Sequence, residues 1–538
     1  MKNILLLSFF FCLTALSGFC QPLPCVSELS LEEKIGQLLL VHFHGDEANE
    51  AAKKLIHRAH VGGFVYYRWS NGLNDPLQVQ LLSKSLQREA TFNEKPIPLL
   101  LVVDQEGGPI AQLKRGFTLY PSNYAIAKAG RLSWARESAF FTGQQLRAAG
   151  INMNLAPVVD VNVNPDNPVI GVRSYGSSPE IVVGFAEEAL KGYHQAGMAY
   201  CLKHFPGHGD VCIDSHENLP RIYKSLEELR KIELFPFKAL HTQADVIMTA
   251  HLLIPALDAD HCVTLSKKIV TGILRKNIGF QGLIMTDSLA MGGILHECES
   301  IEEVAISSFE AGHDLILLAG GGTLFGQNKG QEQTVDDVLR VHQALVQAVQ
   351  TGRLDEAKID ESVERILKLK ARQQLEQTPF FSLKDIAEHQ QLARDIAENS
   401  VEMIVQKIAL PLDFKSSKVG IIAPRIVEDE INMASLFEIG KETKILFLNG
   451  LNPDAKECQF AAEISSWADI VIFCSYNGWK NKDQILLANE LCKSGKTMIS
   501  LVLRDPQDAD FLSQSSVIIC TYSPVPASIE AALKLIDF

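Results

Sequence analysis

The residues best equipped for chemistry lie in one fourteen-residue stretch, Lys203-His204-Phe205-Pro206-Gly207-His208-Gly209-Asp210-Val211-Cys212-Ile213-Asp214-Ser215-His216, with three histidines, two aspartates and a lysine. An imidazole whose unperturbed pKa is near ~6.5 can give and take a proton around neutrality. Asp214 stands two residues before His216, close enough for its carboxylate to orient the ring. The apolar run 198–202 reads as a short buried strand. Pro206, Gly207 and Gly209 punctuate regular structure, so the charged groups are expected on a loop at the strand's C-terminal end. A polar surface loop with coincidental histidines would have the same composition. The elements around it must discriminate.

Those elements alternate. Ser30 followed by Glu33 is a helix-start signature. Apolar runs at 38–43, 61–67, 99–103, 151–155, 198–202, 245–248, 283–285 and 315–318 read as buried strands, with patterned helical stretches between most of them. Continuous apolar strands separated by helices indicate a parallel sheet covered on both faces. Eight such units predict a (β/α)8 TIM-like barrel, with a doubly wound sheet as the rival. Polar residues follow the strands regularly: Asp104-Gln105-Glu106-Gly107-Gly108 after the third, Asp160, Asn162 and Asn164 after the fourth, Lys203-His204 after the fifth, His251 after the sixth and Asp287 after the seventh. In a barrel these ends share one rim, where active sites are built. A second alternating block predicts a smaller αβα layered domain with a mostly parallel sheet. It has no Gly-x-Gly-x-x-Gly and no phosphate loop, so it reads as structural or partner-facing. The expected boundaries are 1–20 for a signal peptide, 28–375 for the barrel, 376–394 for a linker and 395–538 for the second domain.

Composition narrows the class. The 538 residues are 46% apolar and 21% charged, enough for a core of ordinary size. A formal charge of −14 argues against nucleic acid as a partner, because phosphate binding needs clustered Lys and Arg. Lys2, the uncharged run that follows and the small residues before Cys20 read as an export signal, which predicts a periplasmic or cell-envelope location. Lipidation of Cys20, giving membrane attachment through the N-terminus, is the alternative to simple cleavage, although Phe19 is bulky for that motif. The eleven cysteines form no CxxC pair and no zinc-like Cys/His spacing. They read as buried small hydrophobes. No metal and no cofactor are implied.

A barrel rim with several carboxylates and a loop His-Asp pair suggests glycoside hydrolysis. That reaction needs a proton donor to the leaving oxygen and an anion at the anomeric carbon. Asp287, in Met285-Thr286-Asp287-Ser288, is the candidate anion. At this point the chain resembles family 3 glycoside hydrolases, and more narrowly their β-N-acetylhexosaminidase branch. The resemblance rests on Lys203-His204-Phe205-Pro206-Gly207-His208-Gly209 with Asp214-Ser215-His216. It is extended by Asp104-Gln105-Glu106-Gly107-Gly108, by Asn167-Pro168-Val169-Ile170-Gly171 with Arg173-Ser174, and by Thr286-Asp287, in the expected order.

The resemblance implies a retaining exo-β-N-acetylglucosaminidase acting on terminal β-linked GlcNAc, as in a peptidoglycan fragment. Asp287 would be the nucleophile, and His216 the acid/base polarised by Asp214. Asp104, Arg173, Lys203 and His204 would hold the sugar. A small carbohydrate or muropeptide is thus the expected partner. The alternatives are a GlcNAc phosphorylase with the same dyad, a degenerate non-catalytic sugar-binding surface protein, and a β-glucosidase of the same family. Within the resemblance, His208 is expected to structure the loop and Glu106 to hold loop backbone. His251 fits a rim or a site role equally. Two departures stand out. Gln112 replaces a common arginine, whose contact Lys114 or Arg115 would have to supply, and Val172 precedes Arg173 where a polar residue is usual.

Overall fold

The computed structural model describes residues 23–92, 95–215, 218–295, 297–320, 323–324, 327–328, 332–373 and 383–537. The expected signal peptide and Cys20 lie outside them, as does His216. Eight strands form one parallel sheet: β1 (Leu39–Val41), β2 (Gly63–Tyr66), β3 (Leu100–Val103), β4 (Met153–Asn154), β5 (Ala199–Phe205), β6 (Val246–Thr249), β7 (Leu283–Thr286) and β8 (Ile316–Leu318). Their order is β8-β1-β2-β3-β4-β5-β6-β7. A parallel bridge between Met285 and Leu315 joins the two ends, with Thr286 N–H donating to the Leu315 carbonyl at 3.1 Å. The barrel predicted from the apolar runs is therefore present.

Local chemistry explains the elements. Every residue of the eight strands is buried. Both faces meet apolar neighbours, which is why the runs are continuous rather than alternating. The Ser30 capping box forms: Ser30 Oγ accepts the Glu33 N–H and Glu33 accepts the Ser30 N–H at 2.8 Å. Strand β4 is only two residues long, and asparagine amides extend its pairing. Asn152 Oδ1 accepts the Leu101 N–H and Asn154 Oδ1 the Gln105 N–H, at 2.9 and 3.0 Å.

One expectation about the barrel is corrected. Strand β5 does not end before Lys203 but runs through Phe205. Pairing continues on both sides, since Lys203 O accepts the Val159 N–H and Phe205 O accepts the Ala250 N–H, each at 2.8 Å. Lys203 and His204 are thus strand residues, held more rigidly than a loop would hold them.

The second domain has six strands: β9 (Glu402–Gln406), β10 (Lys418–Pro424), β11 (Glu442–Leu448), β12 (Ile470–Ser475), β13 (Thr497–Val502) and β14 (Val517–Cys520). The order is β9-β14-β13-β12-β10-β11, parallel except for the edge strand β9. Alternate residues of the central strands pack on opposite faces. Ile421, Ile472 and Leu501 join one apolar cluster with Ile431 and Ile529, and Ile422, Phe473 and Val502 join another with Ala488 and Leu491. This is the layered arrangement expected. A helix, Leu383–Ser400, runs through the second half of the 376–394 segment and across its far boundary. Barrel residues Ala125 and Val172 belong to the second of these clusters, so the domains share a packed interface. Among the described residues, no helix is long and apolar enough to cross a membrane, and all nine cysteines are free, Cys201, Cys262, Cys474 and Cys520 being buried.

Candidate active site

The rim at the strand C-termini opens into a cavity of about 200 Å³. Five of the expected site residues line it: Asp104 after β3, Arg173 after β4, Lys203 and His204 on β5, and Asp287 after β7. They form one charge cluster. Lys203 Nζ lies 2.6 Å from Asp104 Oδ1 and 2.7 Å from Glu106 Oε1. The Arg173 guanidinium grips Glu106 through two bonds, Nε to Oε2 at 2.9 Å and Nη2 to Oε1 at 2.8 Å. Fork-to-fork pairing of this kind fixes orientation as well as charge.

Burial disfavours the Glu106 charge, yet Arg173 and Lys203 more than offset it and hold the carboxyl down at about 2. Burial likewise opposes the Lys203 charge, and Asp104 and Glu106 overcome it and raise that pKa. Both cations therefore stay charged through the neutral range. They present fixed N–H donors to the cavity, in a partly dry site where losing one such bond strands a polar partner. Glu106 does not hold loop backbone as expected. Its neighbour Gln105 does so, its amide exchanging two bonds with Leu113 backbone at 2.9 and 3.0 Å. The reason is the alternation of a short ribbon, Gln105–Gly107 paired with Ile110–Ala111, which sends successive side chains to opposite sides.

Asp160, fully buried, organises the turn after β5. It accepts from His204 Nδ1 at 2.7 Å, from His204 N–H at 3.1 Å and from His208 N–H at 2.7 Å. Burial opposes its charge and His204 outweighs that effect, so its pKa falls below the usual carboxylate range. His204 Nε2 is left at 3.4 Å from Arg173 Nη2, on the cavity side. His208 is also buried, and burial pushes its pKa down to about 4. Its Nε2 lies 3.1 Å from Ser215 Oγ, which suits the loop-structuring role expected of it.

Asp287 is half-buried. Its N–H donates to Thr249 O at 3.0 Å, and its Oδ1 accepts the Ser288 N–H at 2.7 Å. His251 supports this turn from behind. Its Nε2 meets Ser288 O at 2.9 Å and its Nδ1 meets Thr264 Oγ1 at 2.7 Å, so it is a structural rim residue. Asp214 is buried, and Ser215 lines the same cavity as Asp287. The two segments touch directly, Gly293 N–H donating to Ser215 O at 3.1 Å. A Cβ on Gly293 would sit 2.6 Å from that oxygen, so only glycine permits the approach.

Both departures find physical explanations. Gln112 lines the cavity and its Oε1 accepts the Arg68 N–H at 3.0 Å. Lys114 and Arg115 do not replace the missing arginine. They turn to the second domain, pairing with Glu430 at 2.7 Å and Asp429 at 3.2 Å. Val172 is apolar because its side chain packs into the interdomain cluster, not the cavity. Sequence reasoning missed two wall residues, Tyr67 and Trp69, whose rings stack 5.5 Å apart with an interplanar angle of 23°. The aromatic run Tyr66-Tyr67-Arg68-Trp69 at a strand end was the available signal. It also missed the second domain's Arg504 and Asp505, which support the Arg173 segment. They lie more than three hundred residues away, and no local pattern marks them.

A two-domain barrel with this rim cluster defines a class, and the family model described as "Glycosyl hydrolase family 3 N terminal domain" matches residues 30–369. The chain belongs to glycosyl hydrolase family 3. Among its relatives, "Beta-hexosaminidase A" of Pseudoalteromonas piscicida is 32% identical over 395 residues, which cover 69% of this chain and 64% of that protein. This chain thus spans somewhat less than two thirds of that relative's length. "Beta-hexosaminidase LpqI" of Mycobacterium tuberculosis is 32% identical over 358 residues, covering 65% of this chain and 85% of that one. A solved family 3 β-N-acetylglucosaminidase from Paenibacillus sp. str. FPU-7 superposes with a TM-score of 0.83 at 34% identity, covering 94% of this chain and 96% of that chain.

Proposed function

We propose that this protein is a retaining exo-β-N-acetylglucosaminidase that removes terminal β-linked GlcNAc, with peptidoglycan fragments as its natural substrates. The observation that carries the reading is the meeting of two segments at one cavity: Asp287 after β7 and the Asp214-Ser215 segment after β5. The names of the relatives supply the sugar.

In the proposed reaction, Lys203, Arg173, Asp104 and His204 bind the terminal sugar. An Asp287 carboxylate oxygen attacks the anomeric carbon, and the bond to the leaving oxygen breaks as that oxygen takes a proton from the His216 imidazolium. Asp214 favours the protonated ring. The neutral imidazole then removes a proton from water, whose oxygen attacks the anomeric carbon and releases Asp287. Export across the membrane, by cleavage or lipidation near Cys20, completes the proposal. Sequencing the mature N-terminus of the exported protein tests that part.

The decisive experiment is product analysis on a GlcNAc–anhydro-muramyl fragment beside a chitobiose control, with and without phosphate. Free GlcNAc released at the same rate in both buffers supports hydrolysis. Sugar 1-phosphate replaces that reading with phosphorolysis, and no turnover of either substrate leaves only a sugar-binding protein. Asp287→Ala is expected to abolish turnover nearly completely. His216→Ala is expected to lose far more activity on poor leaving groups than on activated aryl glycosides, and equal losses on both would remove His216 from the acid role.

A further inference from the structure

Outside the charge cluster, three side chains converge beside the cavity mouth. His42 and His44 follow β1, and Glu332 belongs to the segment that follows β8. Glu332 Oε1 lies 3.4 Å from His42 Nε2 and also contacts His44 Nε2. One ligand atom from each residue lies within 4.8 Å of the other two. Phe43, between the histidines, packs against Phe64 with ring centroids 5.1 Å apart, while the two imidazole centroids lie 6.2 Å from each other. Trp69, a cavity wall residue, touches both rings at 5.2 and 5.3 Å.

We propose that His42, His44 and Glu332 bind a divalent ion of the zinc class at the mouth of the cavity. The ligand types suit that class, since imidazole nitrogen and carboxylate oxygen are ordinary zinc donors. The spacing suits it too. Donor atoms about 2.0–2.2 Å from a tetrahedral ion stand roughly 3.3–3.6 Å from one another, and Glu332 Oε1 already stands 3.4 Å from His42 Nε2. A metal-free alternative is less satisfactory. For one carboxylate to satisfy both rings, each must carry its proton on Nε2, which leaves His42 Nδ1 a bare acceptor, and that atom is buried without a hydrogen-bond partner. A metal on Nε2 moves the proton to Nδ1, which then becomes a donor rather than a bare acceptor.

The site would clasp the segment after β8 to the end of β1 and set the orientation of Trp69. Three protein ligands leave a fourth position open. Sequence reasoning implied no metal because the carboxylate lies 288 residues from the nearer histidine.

The test uses the full chain stripped with chelator and then dialysed against Zn²⁺, with bound metal measured by mass spectrometry and Co²⁺ as a spectroscopic probe. The wild type is expected to hold one equivalent and to give the intense visible bands of four-coordinate Co²⁺. His44→Ala and Glu332→Gln, both at solvent-exposed side chains, are each expected to weaken binding at least ~10-fold with unchanged circular dichroism. Failure of the wild type to retain an equivalent overturns the proposal. So does unchanged binding by both variants, which puts the ion elsewhere, for example on cysteine.

Discussion

Asp505, just after β13, accepts the Val172 N–H at 3.1 Å, one residue ahead of the arginine that enters the cavity. Its neighbour Arg504, fully buried, donates to the Val169 carbonyl at 3.2 Å. The Arg173 segment is thus held by Glu106 from within the barrel and by the second domain from outside. Replacing Asp505 with alanine strands a buried N–H, which costs about 1–3 kcal/mol. The expected result for Asp505→Ala is a KM raised about 10-fold, one pK-unit's worth of binding energy, with kcat changed much less. Steady-state kinetics on an aryl GlcNAc substrate reads this split directly. Unchanged KM would mean that the second domain does not position Arg173.

The same contact predicts an unusual double mutant. Gly171 has φ of +45°, and a Cβ there would lie 2.1 Å from Asp505 Oδ1. Gly171→Ala therefore meets both backbone strain and a clash. Adding Asp505→Ala removes the clash and keeps the strain, so the double variant is expected to melt higher than the sum of the two single shifts predicts. Residues in contact couple by about 0.5–3 kcal/mol. Simple additivity of the melting shifts would contradict the geometry.

Glu106→Gln tests the charge cluster. The variant leaves Arg173 and Lys203 buried with one anion fewer, and breaking a buried pair in this way costs about 3–5 kcal/mol. A large fall in melting temperature and weakened substrate binding are expected together. The sign of the pH effect follows from the lowered Glu106 pKa. The stability it contributes is complete above the unfolded value near 4.5 and is lost as pH falls toward about 2. Between those values the wild type should lose stability with acid more steeply than the variant, as measured by denaturant titration.

Much of this was legible in the chain because it is local. Continuous apolar runs mark strands buried on both faces, and polar residues recurring after them mark the rim. The family motifs named Asp104, Arg173, Lys203, His204 and Asp287, all of which reach one cavity. What escaped was set by pairing between distant segments. Hydropathy ended β5 at Leu202, whereas hydrogen bonds from Val159 and Ala250 carry it through Lys203 and His204. Glu106, expected to hold loop backbone, pairs with Arg173 instead because a ribbon's alternation, invisible in composition, decides which side chain faces Arg173. Val172 was surprising only until its apolar partners in the second domain were in view.

Gly293→Ala probes the meeting of the Asp287 side of the rim with the Asp214-Ser215 segment. The added methyl would sit 2.6 Å from Ser215 O and 3.0 Å from Asn218 O, both backbone atoms that cannot rotate away. The Asp214-Ser215 segment must then shift from the Asp287 side of the rim. Proximity is worth orders of magnitude in rate, and a displacement of about 1 Å can cost ~100-fold. A kcat reduced by that order is expected, with a smaller loss on activated aryl leaving groups that need little proton donation. A variant with wild-type kcat on poor leaving groups would show that this contact does not set the catalytic geometry.

Lys370 offers a prediction remote from the site. It lies on the helix Glu356–Arg372, fully buried, and its Nζ donates to Gln37 Oε1 at 2.6 Å. Burial pushes its pKa down to about 7, against about 10.4 for an exposed lysine. Between those two values the unfolded chain holds a proton that the folded chain does not, so this group makes stability rise with pH. The slope is at most about 1.4 kcal/mol per pH unit, and the gain is lost as pH falls through the upper value toward 7. Lys370→Met removes the titration, and it leaves Gln37 Nε2 bonded to the His60 carbonyl at 2.9 Å. Unfolding free energies of the two proteins, measured in denaturant at several pH values from 7 to 10, should therefore depend differently on pH. The variant gains most relative to the wild type at pH 7, and its advantage shrinks steadily as pH rises. A difference independent of pH would mean that Lys370 keeps its proton in the folded protein.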